Sequence, residues 1–90
     1  MTAAKFISLT TSETGTDFVT FADSPCSRVN VWNLTGQSLT FKYEEDEGTF
    51  VLPSGLAYAF SGVNNASQLL VKRTDESNTP VTLNSVEVEL

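Results

Sequence analysis

The sequence predicts an all-β fold, an antiparallel β-sandwich or small barrel of about seven to eight short strands. Three observations lead there. β-favouring runs recur roughly every ten residues. Clusters of Gly, Pro, Asn, Asp and Ser separate them, and these are the residues that turns require. No stretch of helical length carries apolar residues at three-and-four spacing.

The expected strands are residues 4–9, 17–22, 28–34, 38–44, 49–52, 56–60, 67–74 and 80–90. Their separators are residues 12–15, 23–25, 35–37, 46–48, 53–55, 62–65 and 75–78. A hairpin is expected between the third and fourth strands. With Thr35, Gly36 and Gln37 as its loop, Val31 faces Phe41 and Val29 faces Tyr43, so the apolar residues share one face. Gly36 then takes a positive φ. The same register sets Arg28 against Glu44 and Trp32 against Thr40 on the other face. A two-residue loop would oppose Val31 to Thr40 and mix the faces. In the sixth strand Leu56, Tyr58 and Phe60 make an apolar face. Ala57 and Ala59 lie behind it, small enough for a neighbouring layer to pack closely. The last strand changes phase: Val81 and Leu83 are odd, whereas Val86, Val88 and Leu90 are even. A bulge at Asn84 and Ser85 absorbs that shift.

Ninety residues make one domain. Within it, residues 1–16 are read as an N-terminal strand and docking arm, and residues 17–90 as the sandwich body. A chain this short buries only about 60–65% of its unfolded surface, so the core is modest. Joining an assembly adds stability that such a core lacks.

Eleven acidic residues against five basic ones give a net charge of −6. The basic residues, Lys5, Arg28, Lys42, Lys72 and Arg73, are scattered, whereas phosphate backbones call for clustered Lys and Arg. Nucleic acid and membrane are not expected partners. No apolar run approaches the roughly 20 residues of a membrane helix. Met1 to Thr11 lacks the pattern of a signal peptide. Cys26 is the only cysteine, so no intramolecular disulfide can form. A reducing cytoplasm is the expected place of synthesis.

No catalytic residue, cofactor or metal is expected, and the chain is read as a non-enzyme. It has no histidine, which removes the commonest general base and every Ser–His or Cys–His pair. Cys26 follows Pro25 and reads as a small buried residue. Glu44, Glu45, Asp46 and Glu47 form an acidic run before Gly48. Calcium loops alternate their ligands with other residues, so a solvated hairpin tip is expected instead. Asn33-Leu34-Thr35 and Asn65-Ala66-Ser67 match the glycosylation pattern, a match common by chance.

A resemblance enters between Ser24 and Leu83. Its order is Ser-Pro-Cys-Ser-Arg-Val at 24–29, Asn-Leu-Thr-Gly-Gln at 33–37 and Leu-Pro-Ser-Gly at 52–55. Then follow Phe-Ser-Gly-Val-Asn-Asn-Ala-Ser-Gln-Leu at 60–69, Val-Lys-Arg-Thr-Asp at 71–75 and Val-Thr-Leu at 81–83. This resembles the small β-sandwich virion proteins of tailed bacteriophages over about two-thirds of the chain. The shared motifs are turns and strands rather than a chemical signature. The resemblance implies a virion structural protein assembled in the host cytoplasm. It implies a capsid decoration or cement protein that binds and stabilises the phage head. The chain reads as a minimal domain without a fibre-forming extension, and its N-terminal segment is available for docking. The alternatives are a small tail or baseplate component, a receptor- or carbohydrate-binding module on the virion, and an inhibitor of a host enzyme.

The expected partners are further copies of the chain, as a trimer or ring, and the major capsid protein or another virion protein. The interface candidates are Trp32, Leu34, Phe6, Ile7, Leu9, Val88 and Leu90. Trp32 lies on the polar side of its strand among Asn30, Leu34, Thr40 and Lys42, which suits an anchor at an interface. Phe6, Ile7, Leu9, Val88 and Leu90 sit on the N-terminal and C-terminal strands, which carry no internal proline and are read as edges able to extend a neighbour's sheet.

Overall fold

The computed structural model describes residues 4–90, and it contains a strand within or across each predicted segment. These are β1 (Ala4–Thr10), β2 (Val19–Thr20), β3 (Arg28–Trp32), β4 (Leu39–Tyr43), β5 (Phe50–Leu52), β6 (Ala57–Ser61), β7 (Leu69–Arg73) and β8 (Thr82–Glu89). A 3-10 turn at Ala66–Gln68 precedes β7. Asn65 caps it, accepting from Ser67 N, while Gln68 reaches back to the Asn65 N–H.

Two four-stranded sheets face each other. The first has the order β1-β8-β3-β6 and the second β2-β7-β4-β5. Every pairing is antiparallel. The pairs nest: β4 with β5, β3 with β6, β2 with β7 and β1 with β8. The chain is thus one long hairpin, rolled so that β8 also meets β3 and β7 also meets β4. This nested order is a jelly roll, one of the ways an antiparallel chain limits its open edges.

Alternation decides what faces inward. Val29 and Val31 from β3 and Val86 and Val88 from β8 are buried against Leu39, Phe41, Leu69 and Val71 of the other sheet. Phe21, Phe60 and Leu83 belong to the same core, with Leu9, Cys26, Leu52, Val63 and Ala66. The predicted bulge is present. Ile7 pairs with Val86 and Leu9 with Leu83, leaving Asn84 and Ser85 opposite Ser8. The extra residue returns Leu83 to the inner face after the even-numbered valines.

The expected β3–β4 hairpin is corrected. Those strands lie in different sheets, and Gly36, at φ 87°, turns a loop that crosses the sandwich. β3 finds its neighbours in β6 and β8, β4 in β5 and β7. Arg28 consequently stands opposite Glu89, not Glu44, and Trp32 stands opposite Ala57, not Thr40. One edge assignment changes with it. β8 is an inner strand between β1 and β3, so the C-terminal strand is no edge. The N-terminal strand is an edge, as expected: Ala4–Thr10 borders the first sheet and pairs along its length with β8. Residues 1–3 of the proposed arm lie outside the described residues.

Gly15 shows how closely the loops approach. A Cβ there would stand 2.1 Å from the Glu76 carbonyl oxygen, so only glycine fits.

Candidate functional site

Exposed apolar side chains gather where β5 and β6 flank the sandwich. β5 is the edge of the second sheet and β6 the edge of the first. The Phe50 and Tyr58 rings meet between these edges, with centroids 4.5 Å apart. Both then turn edge-on to the buried Phe60 ring, a favourable aromatic arrangement. Phe50 nevertheless keeps 40% of its surface in solvent and Tyr58 47%. Val51, Leu56, Leu34 and Trp32 are exposed as well, with Val51 on the outer face of the second sheet.

Backbone hydrogen bonds hold this end together. Asn33 N donates to the Leu56 carbonyl at 2.8 Å, and Gly55 N donates to the Asn33 carbonyl at 2.6 Å. They bring Leu34, the residue after Asn33, to the Pro53–Leu56 turn. Trp32 lies on the outer face of the first sheet opposite Ala57, a partner too small to cover an indole. Tyr43 reaches across from β4 and donates its phenol proton to the Ser61 carbonyl at 2.9 Å. Burial, and secondarily the nearby Tyr58, push the Tyr43 phenol above its ordinary pKa.

The other interface candidates are dispersed. Phe6 is 76% exposed, but on β1 at the far edge of the first sheet, opposite Glu87. Ile7 is half-buried and packs on the core. Leu9 and Val88 face inward and are buried core residues, so they present nothing to a partner. Leu90 is exposed beside Pro25, Cys26 and Ser27. Sequence reasoning missed Phe50, Val51, Leu56 and Tyr58 as surface residues. The alternation of Leu56, Tyr58 and Phe60 was visible, but of the three only Phe60 is covered, by the rings of Phe41, Tyr43, Phe50 and Tyr58.

Cys26 is buried, and burial raises its thiol pKa against the smaller opposing effect of the Arg28 backbone. Such a thiol is a weak nucleophile at neutral pH. The acidic run forms the tip of the β4–β5 hairpin, with all four side chains in solvent. Gly48 N donates to Asp46 Oδ1 at 3.0 Å, closing that turn. Among the described residues no three His, Cys, Asp or Glu side chains gather as a metal site.

No protein-family model matches the chain, and no curated protein matches it either. The exposed apolar flank is therefore read from its own chemistry: it offers aromatic and aliphatic area beside an open strand edge, which suits binding.

Proposed function

We propose that this chain is a non-enzymatic structural protein of a bacteriophage virion, acting as a capsid decoration or cement protein. The observation that carries a binding role is the set of exposed large apolar side chains on an otherwise acidic domain, Phe50, Leu56 and Tyr58 at the β5–β6 margin and Trp32 and Leu34 at the adjoining end of β3. Aromatic side chains are the common anchors of protein interfaces. The phage setting rests on the resemblance between Ser24 and Leu83. The jelly roll supports it by analogy of fold, since capsid and lectin domains use that architecture. A head protein would be covered along this flank by the capsid lattice or by further copies of the chain in a trimer or ring.

Mass spectrometry of virions purified from the source of this sequence tests the setting. The chain is expected in many copies per particle. Finding it only in the soluble lysate would overturn the structural role and favour a host-acting inhibitor. A glycan-binding module on the virion is the second reading, favoured by the exposed and adjoining rings of Phe50 and Tyr58. A glycan screen giving a specific hit would establish it instead.

A further inference from the structure

The four sheet edges are not alike. β1 carries Lys5, and its ladder with β8 is interrupted at Ser8 by the β8 bulge. β2 is two residues long. β5 is three residues long and runs into Pro53. These are the usual devices that keep an edge from pairing. β6 has none of them. Its five residues, Ala57, Tyr58, Ala59, Phe60 and Ser61, include no charge, no proline and no bulge.

The ladder shows which backbone groups β6 leaves open. Asn33 N bonds to Leu56 O just beyond the Trp32–Ala57 pair. In an antiparallel ladder the bonded pairs alternate. Tyr58 and Phe60 therefore bond to β3, and Ala57, Ala59 and Ser61 aim their N–H and C=O groups away from it. On that side the Ser61 carbonyl already accepts from the Tyr43 hydroxyl, which leaves the groups of Ala57 and Ala59 and the Ser61 N–H for a partner. The outward side chains at these three positions are small, so another backbone can approach.

The two ends of this edge differ in chemistry. At the Ala57 end stand Trp32, Leu34 and Leu56. At the Ser61 end, Glu44 and Glu45 border a hollow shared with Tyr43 and Gly62. Arg28 lies across from Ser61 but is engaged by Glu89 at 3.7 Å.

We infer that β6 is a docking edge for an extended segment of a partner protein, basic at its N-terminal end and apolar at its C-terminal end. An antiparallel strand runs against β6, so it begins beside Glu44 and Glu45 and ends beside Trp32 and Leu56. Main-chain bonds supply the pairing and the end groups supply the direction. Local charge argues for this occupant over the β6 edge of a second copy, because β6 carries no basic residue to meet Glu44 and Glu45. The inference deepens the binding role proposed above and rests on it, but not on the virion setting.

The test uses the full chain and the synthetic peptide acetyl-Lys-Lys-Ser-Thr-Val-Thr-Leu-Leu-amide. Trp32, the only tryptophan, reports binding by its fluorescence. Saturable binding is expected, with a shift of Trp32 emission. Peptides N-methylated at one or the other alternate set of amides separate main-chain from side-chain docking. One set should lose affinity about tenfold or more, because its N–H groups face β6, while the other set binds as the parent does. The reversed peptide, with leucines first, should bind more weakly. Three results would each overturn the inference: no saturation by the parent peptide, equal binding of both methylated sets and the parent, or a dimer of the chain that the peptide merely dissociates. Absence from virions would remove the phage setting and leave the peptide result standing. A failed peptide titration would remove the docking edge and leave a virion result standing.

Discussion

The side-chain amide of Asn33 donates to the main-chain carbonyl of Leu52 at 2.7 Å, joining the end of β3 in one sheet to the end of β5 in the other. The same nitrogen donates to the Gln37 carbonyl at 2.8 Å. Its Oδ1 accepts from the Thr35 hydroxyl at 2.8 Å and from Thr35 N at 3.2 Å. Asn33 is fully buried, so each of these bonds replaces one to water. The glycosylation pattern at Asn33 is thus a structural knot. Asn65 serves similarly, accepting from Ser24 N and Ser67 N and donating to Asp23.

Replacing Asn33 by alanine should lower stability by roughly 2–4 kcal/mol, since buried carbonyls lose their donors. Asn33→Asp should cost at least as much at neutral pH, because a carboxylate would face two carbonyl oxygens. Urea unfolding checks both. A loss under about 0.5 kcal/mol, the size of an ordinary surface change, would disprove the knot.

Trp32→Ala should behave as a surface change in the isolated domain. Trp32 keeps 44% of its surface in solvent and faces Ala57, so truncation leaves no core cavity. Its cost should appear in binding instead, as about 2–4 kcal/mol for an interface anchor. Thermal melting of the free variant and titration with a partner separate the two effects. A variant that unfolds alone would refute the anchor role.

Acid should weaken the loop after β7 at Asp75. The Arg73 guanidinium donates to Asp75 Oδ1 at 3.0 Å and Oδ2 at 2.7 Å, and Ser77 N adds a third bond. These bonds, the Arg73 side chain foremost, hold the Asp75 carboxyl below its ordinary value. A carboxyl with a lower pKa in the folded state stabilises the fold above its unfolded pKa. That contribution is lost as pH falls through the folded pKa. The wild-type advantage over Asp75→Asn should therefore be full at pH 7 and shrink below about pH 4. Melting temperatures across that range check it, and a constant difference would contradict it.

Cys26 should react slowly with iodoacetamide in the folded protein at neutral pH. It is buried, and the raised pKa leaves little thiolate. Denaturant should restore ordinary reactivity. Rapid labelling of the folded chain would show that the strand end opens readily.

The strands were legible because their signals are local. Alternation and turn residues lie within each segment, and the phase change at Asn84 and Ser85 announced the bulge. Strand partners were not legible. Val29, Val31, Phe41 and Tyr43 share a face in a hairpin, but they also converge when two sheets face each other across a core. Periodicity decides which way a side chain points, not which strand lies alongside. The surface was half legible for the same reason. Trp32 stood out as a large apolar residue on a polar face. Tyr58 and Leu56 alternated like core residues, but Tyr58 lies near the start of an edge strand and Leu56 in the turn before it, where cover is incomplete. Buried Arg73 left no local sign either, because its partners Asp75 and Thr79 become meaningful only once the loop is folded.

The rolled hairpin also imposes an itinerary on folding. Its β4–β5 turn closes a short loop, whereas β1 and β8 bring together nearly the whole chain. Closing an inner pair shortens the loop left for the next, and loop closure costs entropy that grows with length. The chain should zip outward from its acidic tip, with the two terminal strands meeting last. Such non-local pairing belongs to the slow end of small-domain folding, in milliseconds to seconds. Conservative truncations should then slow folding when made at Phe41 and mainly speed unfolding when made at Val86. The opposite ranking in stopped-flow kinetics would place the nucleus at the termini.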